Sequence, residues 1–293
     1  MNWALAIIAL ALIVVLSKSQ VLLPKPATVS SPEQIYKAYI PFVSMPQSLS
    51  RGIAMANPNC QDLTDMGATW QYTWGNDPVI CPGKESVPML WGRNQVGAMV
   101  GGNSQYLLEF NEPNFSDQSN LTQLECAQLI WQIENDPQYA GYKLVSPAIG
   151  DGRYEWLIGL RNTFIDLYGR PPRWDVIAFH YYVLNDSWFK IGKEKLDQYV
   201  LLAEEWGAEL WVTEFAVVPL APITPNYTHE QALTKLDEWM AYMKPKALRY
   251  AYFTNRINGS MEVGCAWLNG CSKFALFDFT TGTMTQYGLR YRH

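Results

Sequence analysis

The sequence predicts an α/β fold built as a single (β/α)8 TIM barrel. Eight short apolar runs read as strands, at 51–56, 68–74, 87–91, 106–112, 143–148, 174–182, 209–215 and 247–254. Amphipathic stretches at 122–135, 154–168, 189–206 and 229–243 read as helices between several of them. The 293 residues leave room for the roughly 250 that one such barrel takes. Strands alternating with helices in one run of chain point to a parallel sheet closed on itself.

Taken in order, the chain opens with an unbroken apolar run from Trp3 to Leu16. It is shorter than the about 20 residues of a membrane-spanning helix and matches a signal-peptide core. Ser17-Lys18-Ser19 supplies a small-x-small cleavage pattern, so residues 1–19 read as a signal peptide. The alternative is an uncleaved anchor, a membrane tether through residues 3–16 extended by Val21-Leu22-Leu23. Residues 20–50 are a linker and lead-in, rich in Pro, Ser and Thr from Pro24 to Ser31. The catalytic domain spans 51–293. Its helix at 229–243 carries Leu233, Leu236, Trp239, Met240 and Met243 at i, i+3, i+4 spacing, a core stripe. Helices after the first three strands leave little pattern.

Composition excludes several functions. The net charge of −5 argues against a nucleic-acid partner, which needs a basic footprint. No phosphate loop or dinucleotide fingerprint is present, so no nucleotide and no cofactor is expected. With three histidines and no His-Glu-x-x-His or Cys-x-x-Cys pattern, no metal site is expected either. Of the five cysteines, Cys265 and Cys271 bracket a short loop and make the first candidate disulfide. Cys60 and Cys81 are a second, and Cys126 reads as a buried thiol in a helix. Asn114, Asn120, Asn185, Asn226 and Asn258 sit in Asn-x-Ser/Thr sequons, which together with the leader predicts a secreted or wall-located glycoprotein acting as a monomer. A glycan at Asn114 would crowd Glu112, so that sequon is expected to stay unmodified.

The chemistry lies at the strand ends. Leu107-Leu108-Glu109-Phe110-Asn111-Glu112-Pro113 is a strand stopped by proline with a carboxylate at its tip. Leu210-Trp211-Val212-Thr213-Glu214 delivers a second glutamate in the same way. In a barrel the C-terminal ends of strands build the site, and strands four and seven face each other across the mouth. Paired carboxylates so placed are the equipment of a glycoside hydrolase. Alternation along strand seven groups Leu210, Val212 and Glu214, and along strand six Ala178, His180 and Tyr182. Trp74 and Trp91 end strands two and three.

These motifs resemble glycoside hydrolase family 128, within the clan of retaining glycosidases on (β/α)8 barrels. The resemblance rests on Phe110-Asn111-Glu112-Pro113-Asn114, Val212-Thr213-Glu214-Phe215, Trp70-Gln71-Tyr72-Thr73-Trp74, Val87-Pro88-Met89-Leu90-Trp91-Gly92, Phe179-His180-Tyr181-Tyr182 and Arg249-Tyr250-Ala251-Tyr252-Phe253. It implies an endo-β-1,3-glucanase with Glu112 as acid/base and Glu214 as nucleophile. It makes Asn111 the ligand of the sugar 2-hydroxyl, His180 and Tyr182 orienting groups, Trp74 and Trp91 stacking platforms, and Tyr252 the floor of the −1 subsite. The partner would be a β-glucan polysaccharide or oligosaccharide. Two departures stand out: Gln71 and Thr73 interrupt the family's aromatic strand two, and Tyr252 replaces an expected tryptophan. The alternatives are a clan relative acting on mannan or a β-1,4-glucan, and a free or wall-anchored barrel that binds glucan without cutting it.

Overall fold

The computed structural model describes residues 51–258, 262 and 265–293; the expected leader and linker at 1–50 lie outside the described residues. Eight parallel strands form the sheet: β1 (Arg51–Ala54), β2 (Trp70–Tyr72), β3 (Glu85–Ser86), β4 (Tyr106–Leu108), β5 (Lys143–Val145), β6 (Trp174–Val183), β7 (Glu209–Val217) and β8 (Arg249–Phe253). Their order is β3-β2-β1-β8-β7-β6-β5-β4. The remaining gap is spanned just past β3, where Leu108 N donates to Pro88 O at 3.0 Å and Leu90 N to Leu108 O at 2.9 Å. The sheet is therefore a closed (β/α)8 barrel.

The third strand departs from expectation. Its ladder runs over 85–86, ahead of the predicted 87–91. Pro88 has no N–H to donate, so the later stretch reaches β4 only around Met89.

Helices follow the strands unevenly. The short α1 (Cys60–Asp65) follows β1, with Asn59 accepting from Gln61 N at its start. After β2 and β3 there are loops and a single 3-10 turn, Arg93–Gln95. The regular layer is α2 (Gln123–Asn135), α3 (Tyr154–Tyr168), α4 (Asp186–Trp206) and α5 (His229–Met243), closed by α6 (Gln286–Arg292). Thr122 with Glu125, and Thr228 with Gln231, form capping boxes that satisfy the first amides of α2 and α5.

The core has two layers. Inside the barrel, Trp70, Tyr106 and Trp211 pack with small and branched residues such as Ala54, Val87, Val176, Ala178 and Ala251. Trp211 meets Tyr106 at 4.5 Å and Trp70 at 5.4 Å. Gly52 is required there, because a Cβ at that position would lie 2.3 Å from the Trp70 ring. Between barrel and helices, a larger apolar layer takes Leu107, Ile177, Phe179, Phe215 and the stripe residues Leu236, Trp239, Met240 and Met243.

Both disulfides form as expected, Cys60–Cys81 tying α1 to the β2–β3 loop and Cys265–Cys271 closing the loop after β8. Cys126 is a buried free thiol. Among the described residues, no helix is long and apolar enough to cross a membrane.

Candidate active site

The two glutamates meet over the barrel mouth. Glu112 sits just beyond β4 with φ at 41°, a left-handed conformation that turns its side chain inward. Its N–H donates to Ala148 O at 2.9 Å. Glu214 arrives by a different device. Val212 pairs Phe179 but Glu214 pairs His180, so β7 carries one extra residue, a bulge at Thr213. Below the bulge Trp211 points into the barrel and Val212 outward. Above it the phase has shifted, bringing Glu214 inward and Phe215 outward. The expected grouping of Leu210, Val212 and Glu214 on one face therefore does not hold, since strict alternation fails across a bulge. On β6 the grouping of Ala178, His180 and Tyr182 does hold, with Phe179 and Tyr181 in the outer layer.

One ligand atom from each of Glu112, His180 and Glu214 lies within 4.8 Å of the other two. His180 is fully buried between the acids, Nδ1 3.1 Å from Glu112 Oε1 and Nε2 3.7 Å from Glu214 Oε1. Glu214 is surrounded by neutral donors. Tyr72 Oη and Trp74 Nε1 each donate to Oε1 at 2.8 Å, and Tyr182 Oη donates to Oε2 at 2.6 Å. The cluster has the atoms a cation would need, and a metal there would share Glu214 with the three hydrogen bonds already aimed at it.

Burial raises the pKa of Glu112 above the ordinary carboxylate value; the hydrogen bond and charge of His180 oppose this, and Glu214 adds to it. For His180, burial alone would lower the pKa, but Glu214 and Glu112 outweigh it and hold it up. Both groups of the Glu112–His180 pair, in contact at 3.1 Å, are thus held toward their protonated forms beside the second carboxylate. Burial, followed by the charge of Glu214, keeps Tyr72 and Tyr182 well above the usual phenol value, so both remain donors.

A cleft of about 230 Å3 opens above this cluster, lined by Trp74, Trp91, Asn111, Glu112, Gln118, Tyr182, Glu214, Phe253, Trp267, Leu268 and the Cys265–Cys271 disulfide. Asn111 Nδ2 donates to Gln118 Oε1 at 3.0 Å, while its buried Oδ1 has no partner. Trp267 is 49% exposed and stands edge-on to Tyr182 at 5.5 Å. Asn114 turns away from the cleft, its amide bonded to both the N and O of Gly150.

Of the residues singled out from sequence, Glu112, Glu214, Asn111, Tyr182, Trp74 and Trp91 line the cleft and His180 lies beneath it. Tyr252 does not reach it. It is fully buried in the outer layer, donates to Phe274 O at 2.9 Å and packs on Phe215 and Tyr291. Along β8, Tyr250 and Tyr252 face the helices, Ala251 the barrel interior and Phe253 the cleft. Phe253 therefore takes the place assigned to Tyr252. Tyr72, Gln118 and Trp267 had not been singled out. Tyr72 had a usable signal, since it alternates with Trp70 and Trp74 on one face of β2. Gln71, on the opposite face, donates to Val79 O and Ser86 Oγ and is a wall residue.

A profile of the glycosyl hydrolase catalytic core matches residues 52–291. The chain belongs to this family. Within it the chain falls in glycoside hydrolase family 128. An endo-β-1,3-glucanase of subgroup I from Amycolatopsis mediterranei, solved with laminaritriose, is 27% identical over 83% of this chain and 98% of its own, with a TM-score of 0.61. A curdlan-specific exo-β-1,3-glucanase of subgroup III from Blastomyces gilchristii (24% identity, 85% and 99% coverage, TM-score 0.62) shares the fold. So does a subgroup II endo-β-1,3-glucanase from Sorangium cellulosum (22% identity, 83% and 97% coverage, TM-score 0.63). No curated protein matches the chain. Like these family 128 barrels, it carries the glycoside hydrolase architecture around its acidic cleft.

Proposed function

We propose that the chain is a retaining endo-β-1,3-glucanase, with Glu112 as acid/base and Glu214 as nucleophile. The observation that carries this is the convergence of two glutamates on one buried histidine, with an oxygen of one no more than 4.8 Å from an oxygen of the other. Retaining enzymes hold their carboxyl groups about 5–5.5 Å apart, inverting ones about 6.5–9.5 Å. Glu214 is aimed by three donors. Glu112, raised by burial and in contact with His180, is the acid of the pair.

In the first step Glu112 gives its proton to the glycosidic oxygen as that bond breaks, and Glu214 forms an ester with the anomeric carbon. Esterification removes the Glu214 charge that helps raise Glu112. Glu112, ionised by giving up its proton, stays ionised at the lowered pKa and as general base takes a proton from the water that releases the sugar. Asn111 lines the cleft beside Glu112, where its side-chain amide suits the sugar 2-hydroxyl. Trp74, Trp91 and Trp267 offer apolar faces for sugar rings. The likeness to the Amycolatopsis endo-β-1,3-glucanase, solved with laminaritriose, supports the β-1,3 linkage and the endo mode. Two disulfides support work in an oxidising compartment, and we place the protein outside the cell or in the wall. Of the exposed sequons, Asn226 spends its side-chain N–H on Ala221 O, which leaves Asn120 the better placed for a glycan.

The test is reducing-sugar release from laminarin by the protein, beside Glu112→Gln and Glu214→Gln, with the anomer of the first product read by NMR. Hydrolysis with β-product, and near-total loss in both variants, is expected. An α-product would refute retention. Hydrolysis of mannan or a β-1,4-glucan alone would refute the substrate. Laminarin binding without any hydrolysis would refute the enzyme.

A further inference from the structure

Phe253 has no polar side-chain atom, yet it sits among the groups that aim Glu214. Its ring meets Trp74 edge-on at 5.7 Å and Tyr182 at 5.5 Å. Those two side chains donate to opposite oxygens of the carboxylate. Phe253 is in turn held by the three residues after it, whose polar groups go to the segment following β1. Thr254 Oγ1 donates to Ala54 O and accepts from Ala56 N at 3.0 Å. Asn255 accepts from Asn57 N at 3.3 Å, donates to Asn57 O at 2.6 Å and reaches Asp62 Oδ2 at 2.9 Å. Arg256 completes the clamp with a two-point pair to Asp62, Nε to Oδ2 at 2.8 Å and NH2 to Oδ1 at 2.7 Å.

Asp62 is fully buried and the Arg256 side chain is 18% exposed. Neither lines the cleft. Burying such a pair costs desolvation that apolar packing would avoid. What a forked guanidinium–carboxylate pair supplies instead is fixed geometry.

We infer that Asp62 and Arg256 are positioning residues for Glu214. They fix the chain after β8 so that Phe253 wedges against Trp74 and Tyr182 and keeps both donors on the carboxylate. The inference rests on the proposed role of Glu214 for its catalytic consequence, but not for its geometry.

The test uses the full chain with Arg256→Lys, which keeps the charge and loses the fork, together with Phe253→Ala and the double variant. Rates are taken well below each melting temperature, with near-UV circular dichroism confirming a packed core. Arg256→Lys should lower kcat on laminarin about tenfold with KM changed less than about twofold. Because the effect passes through Phe253, the double variant should lie within about twofold of Phe253→Ala alone. A wild-type kcat in Arg256→Lys, or losses that multiply in the double variant, would overturn the inference. A second arm needs no turnover. In a crystal structure of Arg256→Lys, Trp74 Nε1 should have left Glu214 Oε1 from 2.8 Å to beyond the roughly 3.5 Å hydrogen-bond limit; an unmoved contact would overturn it equally. A wild-type protein inert on every glucan would sink the proposed function while this structural arm still decides the positioning role.

Discussion

Replacing Tyr182 by phenylalanine isolates one hydrogen bond to Glu214. The ring stays to pack on Phe253 and Trp267, so the change removes little besides the hydroxyl. That hydroxyl donates to Oε2 at 2.6 Å, and among the described residues no other hydrogen bond reaches this oxygen. A hydrogen bond to a charged group is worth about 1.5–3 kcal/mol, and an orphaned buried acceptor costs a similar amount. About 2 kcal/mol corresponds to roughly 30-fold, at 1.36 kcal/mol per factor of ten. Tyr72→Phe is the internal control. Its hydroxyl is divided between Glu214 Oε1 at 2.8 Å and Thr213 O at 3.2 Å, and Trp74 still serves Oε1 after its loss. A loss of about 1 kcal/mol, roughly fivefold, is expected there. The assay is the initial rate of reducing-end release from laminarin, with melting temperatures measured alongside. A Tyr182→Phe rate within twofold of wild type, or Tyr72→Phe the more damaged of the two, would refute the reasoning that donor count at each oxygen sets the rate.

Three further outcomes follow. Because burial raises Glu112, kcat/KM against pH should fall along a limb lying above the ordinary 4.5, as the acid loses its proton; a limb at 4.5 would contradict the acid role. Glu109 is buried on the outer side of β4, Oε2 accepting from Trp174 Nε1 at 2.8 Å and Oε1 unpartnered, and desolvation raises its pKa well above 4.5. The stability its neutral form contributes is complete below 4.5 and lost as pH rises through the raised folded value, so Glu109→Gln should flatten the decline of melting temperature towards neutral pH; parallel curves would show that Glu109 does not titrate as a buried acid. Removing the Cys60–Cys81 bridge, which closes 21 residues, with Cys60→Ala and Cys81→Ala should cost about 3 kcal/mol in urea unfolding, and a change under about 1 kcal/mol would show that the β2–β3 loop is held by other contacts.

The barrel was legible because its strands are apolar runs and its helices carry regular stripes. Pro113 and the Asn111-Glu112 pair marked one wall of the site, and the glutamate in Val212-Thr213-Glu214 the other. What could not be read was phase. Counting by twos placed Glu214 with Val212, whereas the bulge at Thr213 puts them on opposite faces. The same difficulty put Tyr252 in the cleft, where Phe253 stands, because hydrogen bonding to β1 and β7 fixes which face of β8 looks inward. Gln118 and Trp267 sit on loops with no periodicity, and only the folded chain brings them to the cleft. The tether from Asp62 to Arg256 spans 194 positions of sequence, with no local pattern linking its ends.

The bulge also divides β7 into two strands' worth of obligations. Below Thr213, Trp211 answers to the barrel interior and Val212 to the helices; above it, Glu214 answers to chemistry. An extra residue at the join works like a slip ring between two shafts, so the lower half can be repacked without rotating the carboxylate. The converse is less forgiving. Straightening the strand with Thr213 still in it, so that β7 paired β6 one residue to one, would turn Glu214 toward the helix layer and put Phe215 in the cleft, leaving a barrel with a sound interior and no second acid.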